Sequence, residues 1–261
     1  MVKSERVEQA PHGSTVDPDD VARFERLGAQ WWNPRGPMAG LHKMNPVRVG
    51  YLRDLFIERF PHADGSARDS QHIRSLEGLN VLDIGCGGGI LSEPLARLGC
   101  VMTSIDPAPG NVDIAKAHAA KSGLSIDYRA VMAEDLAASG AQFDVVMAME
   151  VVEHVTDVPA FVATACSMVR PGGLFVSATL NRTLKSFALA IVGAEYVLRW
   201  VEPGTHKWDQ FVTPDELRAA IEGGGLDVFN ETGVVYNPLF DRWSLGRDMG
   251  VNYMMAAERI G

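Results

Sequence analysis

The chain has 261 residues, of which 46% are hydrophobic, and it carries 24 basic against 33 acidic residues, a formal net charge of −9. A chain of this length can bury a sizeable core as one large domain or two small ones. A general nucleic-acid binder needs a positive contact face, so the acidic balance argues against that class of protein.

The three cysteines, Cys86, Cys100 and Cys166, are too few and too widely spaced for a disulfide framework or a zinc site. The N-terminus lacks the apolar stretch of a secretory signal peptide. No run of about 18 apolar residues predicts a helix that spans a bilayer. We therefore expect a cytoplasmic protein.

The first part of the chain predicts a tail followed by helices. Residues 1–19 are polar and contain prolines, which predicts a flexible tail. Asp19 and Asp20 predict a helix start, because carboxylates are favoured near the positive end of the helix dipole. Apolar spacing predicts a second helix over about 46–60. We expect residues 20–77 to form a helical cap.

Strands and helices alternate from residue 78 to residue 180. This alternation predicts an α/β fold, doubly wound, with a mostly parallel sheet and helices on both of its faces. Residues 212–258 predict a further helix and a strand pair that complete the sheet, so 78–261 is expected to be one domain. The predicted strands lie at 80–84, 100–106, 126–129, 143–149 and 174–179, and the helices between them at 91–98, 111–121 and 158–169.

A glycine-rich turn, Gly85–Gly89, follows the first predicted strand, where doubly wound folds bind their ligands. It is not a dinucleotide fingerprint, because Ile90 occupies the place of the third glycine, and no phosphate-binding Gly-Lys-Ser/Thr run is present. Asp83 would repel a pyrophosphate and suits a cation such as S-adenosylmethionine. Asp106, at the end of the second strand, suits either ribose hydroxyls or the cap of the next helix.

Two carboxylates and an imidazole, Glu150, Glu153 and His154, follow the fourth predicted strand. In a helix these positions would share one face. One of them could then remove the proton of a phenol, whose pKa is about 10 by comparison with tyrosine. Alternatively, all three could hold Mg²⁺, Mn²⁺ or Zn²⁺, which would lower the pKa of a bound hydroxyl. A structural role in ordering the loop is the third alternative.

Residues 78–180 resemble the class I S-adenosylmethionine-dependent methyltransferases, through Asp83–Gly89 and Asp106. The resemblance implies a seven-stranded sheet whose last strand is antiparallel. It also implies that Gly85 and Gly87 lie against the methionine part of the cofactor and Asp106 against its ribose.

Flanking segments narrow the resemblance to one branch of that family, the enzymes that O-methylate polyprenylated catechols at two steps of ubiquinone biosynthesis. These segments include Trp31-Trp32, His42–Tyr51, parts of 179–206 and Val251–Met254. The match covers about residues 20–258 and departs from the branch at the polar insert 62–75 and at Val151-Val152.

This resemblance implies further cofactor contacts. It puts Arg48, Gly85, Asp106 and Met149 at S-adenosylmethionine, which leaves as S-adenosylhomocysteine. A planar guanidinium at Arg48 suits the cofactor's carboxylate. Glu134-Asp135 matches a place where the family often contacts adenine, although a solvated acidic turn explains it equally well.

Residues 183–201, within an insertion at 182–211, contain 13 apolar residues of 19. They predict either a buried lid helix or a helix in a membrane interface, with Trp200 at headgroup depth. His206 follows as either a second base or a loop-ordering residue. The implied acceptor is a polyprenyl catechol or phenol, and the implied partners are the membrane surface and other ubiquinone-biosynthesis enzymes.

Two other functions remain open from the sequence. One is a methyltransferase for another small phenol or a carbon nucleophile, which would have less need of a metal. The other is a cofactor-binding subunit without catalysis, against which the cluster Glu150, Glu153 and His154 argues.

Overall fold

An eight-stranded sheet is the centre of the computed structural model, which describes residues 15–62, 64–189 and 207–260. The strands are β1 Asn80–Ile84, β2 Val101–Asp106, β3 Asp127–Ala130, β4 Phe143–Met149, β5 Val169–Leu180, β6 Asp227–Asn237, β7 Arg242–Gly246 and β8 Asn252–Glu258. Their order across the sheet is β3-β2-β1-β4-β5-β8-β6-β7.

The described helices flank this sheet or precede it. They are α1 Pro18–Glu25, α2 Ala39–Arg59, α3 Ser92–Arg97, α4 Pro109–Lys121, α5 Ala133–Ala138, α6 Val158–Ser167, the single turn α7 Leu184–Ser186 and α8 Pro214–Gly223. Short 3₁₀ helices cover Gly28–Trp32, Val152–His154 and Trp208–Gln210.

The sheet confirms the α/β methyltransferase architecture. Strands β1 to β5 pair in parallel, and β8 lies antiparallel to β5, as expected for the last strand. The sheet has eight strands and not seven, because the chain turns after Asn237 and returns as β7, which pairs with β6 at the sheet edge. The additional strand leaves unchanged the carboxyl ends of β1, β2 and β4, where doubly wound folds bind their ligands.

The N-terminal helices share their core with the sheet. Leu52 and Phe56 of α2 are fully buried in one cluster with Val81 of β1 and Met147 of β4. Helix α2 contains the predicted segment 46–60 but begins earlier, at Ala39. The other face of the sheet packs against α5, α6 and α8.

Two segments predicted to be loose are held by hydrogen bonds. The backbone N–H of Thr156 donates to the Thr15 carbonyl at 2.8 Å, and Val16 forms a β-bridge with Val155. The flexible-tail prediction is therefore wrong for residues 15–19. In the polar insert, the buried guanidinium of Arg68 donates to backbone carbonyls on both sides of the loop.

The insertion 182–211 is described in part. Residues 190–206 lie outside the described residues, and with them most of the segment 183–201, including Trp200, and also His206. Within the described ranges, no helix is long and apolar enough to cross a membrane.

Candidate active site

A cavity of about 600 Å³ opens at the carboxyl ends of β1, β2 and β4. The N-terminal helices, the glycine turn, the loop after β4 and the C-terminal strands all contribute to its walls. The structure brings eight predicted site residues to this one cavity: Arg48, Gly85, Gly87, Asp106, Met149, Glu150, Glu153 and His154.

The glycine turn needs glycine for two reasons. Gly85 and Gly87 have φ angles of 71° and 52°, in the left-handed region that disfavours other residues. A Cβ at Gly85 would lie 2.6 Å from the Val151 side chain, and one at Gly87 would overlap the ring of Trp31. Both glycines also line the cavity.

Asp106 anchors this turn to the second strand. Its Oδ2 accepts the Gly87 N–H at 2.9 Å, and its Oδ1 accepts the Ala108 N–H at 2.9 Å and the Asn111 amide at 3.2 Å. Burial raises the pKa of this carboxyl. Asp106 therefore holds the turn before α4 and borders the cavity, but the N-cap of α4 is Ala108, so Asp106 is not the helix cap.

The sequence did not assign a structural role to the adjacent tryptophans Trp31 and Trp32. The Trp31 ring is buried over the glycine turn, and its Nε1 donates to Asn111 Oδ1 at 2.9 Å. Trp32 Nε1 donates to the Gly88 carbonyl at 2.8 Å, and its ring stacks on His118. Two adjacent tryptophans in a polar stretch were the available signal for this contact.

Arg48 is a buried cation at the cavity wall. Its Nη2 donates to Asn45 Oδ1 at 3.1 Å, and Asn45 in turn donates to the Ile90 carbonyl. Its Nε is buried and has no hydrogen-bond partner among the described residues. Burial lowers the pKa of Arg48, against the opposing effect of Glu150 and Asp83. An unsatisfied buried N–H beside a cavity suits an anionic ligand group.

Asp83 is buried behind the turn. Ser92 Oγ donates to its Oδ2 at 2.6 Å, and Ser104 Oγ donates to Ser92 at 3.0 Å. Burial raises the pKa of Asp83 to about 6. A buried carboxyl group of this kind gains when a cation binds close to it, because the cation favours the ionised form.

The loop after β4 differs from the predicted helical face. Glu150 has a φ of 60°, and its N–H still donates to the Ala178 carbonyl of β5 at 2.8 Å. The three residues do not share one face as they would in a helix, since only Val152–His154 forms a short 3₁₀ turn. Within residues 15–62, 64–189 and 207–260, no three His, Cys, Asp or Glu side chains are placed to hold a metal ion.

Glu153 and His154 have different partners. Thr179 Oγ1 donates to Glu153 Oε2 at 2.6 Å, and burial together with the nearby Glu150 raises the pKa of Glu153 to about 8. This environment favours the protonated form of Glu153. His154 Nδ1 lies 2.9 Å from Oδ2 of Asp20, a residue that the sequence placed at an ordinary helix start.

The two acids of the turn after β3, Glu134 and Asp135, also differ in their surroundings. Glu134 borders the cavity, and its Oε1 accepts both the N–H and the hydroxyl of Thr15, at 2.9 and 2.7 Å. Asp135 is exposed. Of the acidic pair, Glu134 alone lines the cavity.

Comparison with known proteins assigns the family. The profile described as "Methyltransferase domain" matches residues 48–231. A protein of Methylobacterium nodulans named "Ubiquinone biosynthesis O-methyltransferase" is 59% identical over 95% of this chain and 97% of its own length. A Methylocella silvestris protein of the same name is 57% identical over 98% of this chain and 99% of its own length. The chain belongs to the ubiquinone biosynthesis O-methyltransferase family.

The fold of this S-adenosylmethionine-dependent methyltransferase agrees with that assignment. The structure of magnesium protoporphyrin IX methyltransferase from Synechocystis PCC 6803 with bound SAH aligns with a TM-score of 0.61 over 92% of this chain and 99% of that chain. Its sequence is 18% identical, so the likeness concerns the fold.

We expect Gly87→Ala to weaken binding of S-adenosylhomocysteine by at least about tenfold, because the new methyl group displaces Trp31 and reshapes the turn. Gly123→Ala is the matched control, since Gly123 also has a positive φ, 66°, but has open space around its Cβ position. Isothermal titration calorimetry should show normal affinity for the control. Equal losses in both variants would contradict this view of the turn.

Binding of S-adenosylhomocysteine is expected to weaken as the pH falls through about 6, because protonation of Asp83 removes the carboxylate that favours the ligand's ammonium group. The loss cannot exceed about tenfold per pH unit for one proton. Asp83→Asn should weaken binding at pH 7 and flatten this dependence, whereas Asp135→Asn, at an exposed acid, should not. Calorimetry between pH 5 and 8 measures both, and an unchanged slope in Asp83→Asn would exclude Asp83 as the titrating group.

Proposed function

We propose that this methyltransferase transfers the methyl group of S-adenosylmethionine to the hydroxyl oxygen of a catechol-type ring that carries a polyprenyl tail. The proposed acceptors are the precursors at the two O-methylation steps of ubiquinone biosynthesis. The observation that carries the proposal is the identity of 52–59% with named relatives over nearly the whole chain. The continuous cavity, with its glycine turn and acidic loop, supports it.

The cofactor contacts follow from the charge of each wall residue. The buried, unsatisfied Nε of Arg48 suits the cofactor's carboxylate, and Asp83 suits its ammonium group. Gly85 and Gly87 both line the cavity, and we assign the methionine chain to the backbone at this place. We assign the ribose hydroxyls to Asp106 and the adenine pocket to Met149, which is buried at the end of β4.

In the proposed reaction, the acceptor oxygen attacks the methyl carbon while the carbon–sulfur bond breaks and its electron pair returns to sulfur. The hydroxyl proton passes to a base. Of the three candidates, we assign His154 as that base. Burial and the nearby Glu150 raise the pKa of Glu153, which favours its protonated form, and its Oε2 already accepts the Thr179 hydroxyl. Glu150 lies beside Arg48 and Glu153, and its negative charge acts to raise the pKa of both.

A divalent metal remains a separate proposal for Glu150, Glu153 and His154. Oxygen and nitrogen donors of this kind suit Mg²⁺, Mn²⁺ or Zn²⁺. The placement does not fit as it stands, since the three side chains do not form a group that could hold an ion. We therefore assign no step of the proposed reaction to a metal ion.

Exposed apolar side chains form a rim on the two segments that contribute Lys185, Leu189 and Pro238 to the cavity wall, where a polyprenyl tail would leave it. Leu184 is 82% exposed, and Leu189 is exposed and borders the cavity. Leu239 and Phe240, at the turn between β6 and β7, are 88% and 77% exposed. We propose that this rim makes a peripheral contact with the membrane from the cytoplasmic side.

The direct test is a methyl-transfer assay with a short-tailed catechol, followed by mass analysis of the product. We expect one methyl group on a ring oxygen and one equivalent of S-adenosylhomocysteine. Methylation of carbon, or of simple phenols in preference to the prenylated catechol, would favour the other acceptor class. Cofactor binding without any transfer would favour a subunit without catalysis.

The same assay after chelation tests the metal. If the acidic loop holds a metal, activity falls on chelation and returns with Mg²⁺, Mn²⁺ or Zn²⁺, and Glu150→Gln raises the metal concentration required. Activity that survives chelation unchanged would remove the metal role.

Flotation with phospholipid vesicles tests the rim. We expect the wild-type protein to float and Leu239→Ser/Phe240→Ser to float at least about threefold less, because two exposed apolar side chains are lost. Ile73→Ser is the matched control, as Ile73 is 80% exposed but lies in the polar insert, where no described neighbouring residue lines the cavity. A wild-type protein that stays unbound, or equal losses in both variants, would contradict the membrane contact.

A further inference from the structure

The last strand in the chain, β8, begins with a buried amide residue, Asn252, that lines the cavity. Asn252 is only 9% exposed. Successive side chains of a strand point to opposite faces of the sheet. Tyr253 packs into the cluster beside α6 and α8, whereas Met254 packs into the cluster beside α2. Asn252 therefore lies on the α2 face, where Arg48 of α2 also lines the cavity.

The neighbours of Asn252 on this face are apolar. In the sheet it pairs with Leu180 of β5 on one side and with Val234 of β6 on the other. Directly opposed residues of antiparallel strands hold their side chains on the same face, about 5 Å apart. Both neighbours line the cavity, as do the buried residues Met44 and Met149. Asn252 thus places an amide within an apolar part of the cavity wall.

The side-chain amide of Asn252 has no hydrogen-bond partner within the part of the chain that the structure describes. Buried polar groups without a partner are rare in proteins because they are costly. Nearby polar side chains are bonded: Asn181 Nδ2 donates to the Met249 carbonyl at 2.8 Å, and Thr183 Oγ1 donates to the Gly250 carbonyl at 2.6 Å. This difference indicates that the partner of Asn252 is a ligand in the cavity.

The order of the strands separates Asn252 from the proposed cofactor contacts. Gly85 follows β1, Asp106 ends β2 and Met149 ends β4, whereas Asn252 lies beyond β5. Two strand spacings of about 4.8 Å put Asn252 about 10 Å across the sheet from β4. The ligand that this amide meets is therefore the methyl acceptor and not the cofactor.

The backbone on both sides of Asn252 is fixed. The N–H of Asn181 donates to the Val251 carbonyl at 2.7 Å. The Tyr253 hydroxyl donates to the Val212 carbonyl at 2.9 Å on the other face of the sheet. A polar group held on a rigid strand recognises a ligand with little loss of conformational entropy.

We propose that Asn252 binds the ring oxygen next to the one that is methylated, and so gives the enzyme a preference for catechols over simple phenols. The inference rests on the proposed function. The amide oxygen accepts the O–H of the second hydroxyl, and the NH₂ group can donate to a ring oxygen. A phenol without that hydroxyl leaves the amide oxygen unpaired, so it binds less tightly. Asn252 determines specificity in this way and takes no part in moving the proton or the methyl group.

Acceptor binding to the complex with S-adenosylhomocysteine tests the proposal without turnover. The two ligands are a short-tailed catechol and the phenol that lacks only its second hydroxyl, and a chelator is present so that no metal contributes. By calorimetry, we expect the wild-type protein to bind the catechol at least about tenfold more tightly than the phenol. Asn252→Leu, with an apolar side chain of the same branched shape, should bind the two ligands within about threefold of each other.

Asn80→Leu is the matched control. Asn80 is exposed and lies where β1 begins, at the opposite end of the sheet from the cavity. This variant should keep the wild-type preference for the catechol. Both variants should bind S-adenosylhomocysteine within about twofold of the wild-type affinity, which shows that they are folded.

The Asn252 amide gives a second readout that needs no variant. Its side-chain ¹H–¹⁵N NMR signals, assigned through the residue's own backbone, should shift when the catechol binds and shift less when the phenol binds. If Asn252→Leu does not fold, this comparison in the wild-type protein decides.

Three results would overturn the proposal: a wild-type protein that binds the catechol no more tightly than the phenol, an Asn252→Leu variant that keeps the full preference, or amide signals that the catechol leaves unchanged. A preference that appears only without the chelator would assign it to a metal and would also exclude this role of Asn252. Failure of the wild-type protein to methylate a catechol that it binds would instead refute the proposed function, and the binding result would still stand.

Discussion

The left-handed turn at the end of β1 is the constraint on which the rest of the site depends. Its path requires glycine at Gly85 and Gly87, and its position is fixed by the bonds from the turn to Ile105 and Asp106 on β2. Because Gly87 and Gly88 lack side chains, Trp31 can pack directly on the turn. That contact seats the N-terminal region over the sheet, and with it Arg48 of α2 and Asp20 of α1 reach the same cavity as the loop after β4.

The electrostatics of this cavity favour a cationic ligand. Burial raises the pKa of Asp83, Asp106 and Glu153, which means that these carboxyl groups lack sufficient positive charge around them. Arg48 is a buried counter-charge at the same wall, and it is held beside Glu150 and Asp83. In the proposed reaction, a sulfonium cofactor would add positive charge beside these groups, and methyl transfer would remove it. This difference between cofactor and product would help the neutral thioether to leave.

The sequence predicted the sheet and the cavity residues for clear physical reasons. The apolar runs, the glycine turn and the acids at strand ends have short-range signals, and parallel strands bring their carboxyl ends to one edge. The family assignment added Arg48, whose role has no local signal. The additional strand, β7, depends on a turn after Asn237, so apolar periodicity alone did not predict it.

The errors arose where long-range contacts override local pattern. The spacing of Glu150, Glu153 and His154 fits a helix, but the Glu150 N–H is bonded to β5, so the helix cannot begin there. Residues 15–19 look loose in sequence because their partners, Val155 and Thr156, lie about 140 residues away. Asp20 looked like an ordinary helix-start acid for the same reason, although it is buried in contact with His154 and Arg23.

The central claim is that the turn after β1 holds a sulfonium-type donor and not a pyrophosphate. Titration calorimetry of the wild-type protein with S-adenosylhomocysteine and, separately, with NAD tests this most directly. We expect saturable heat at one site per chain with S-adenosylhomocysteine and none with NAD. Saturable heat with NAD and none with S-adenosylhomocysteine would contradict it.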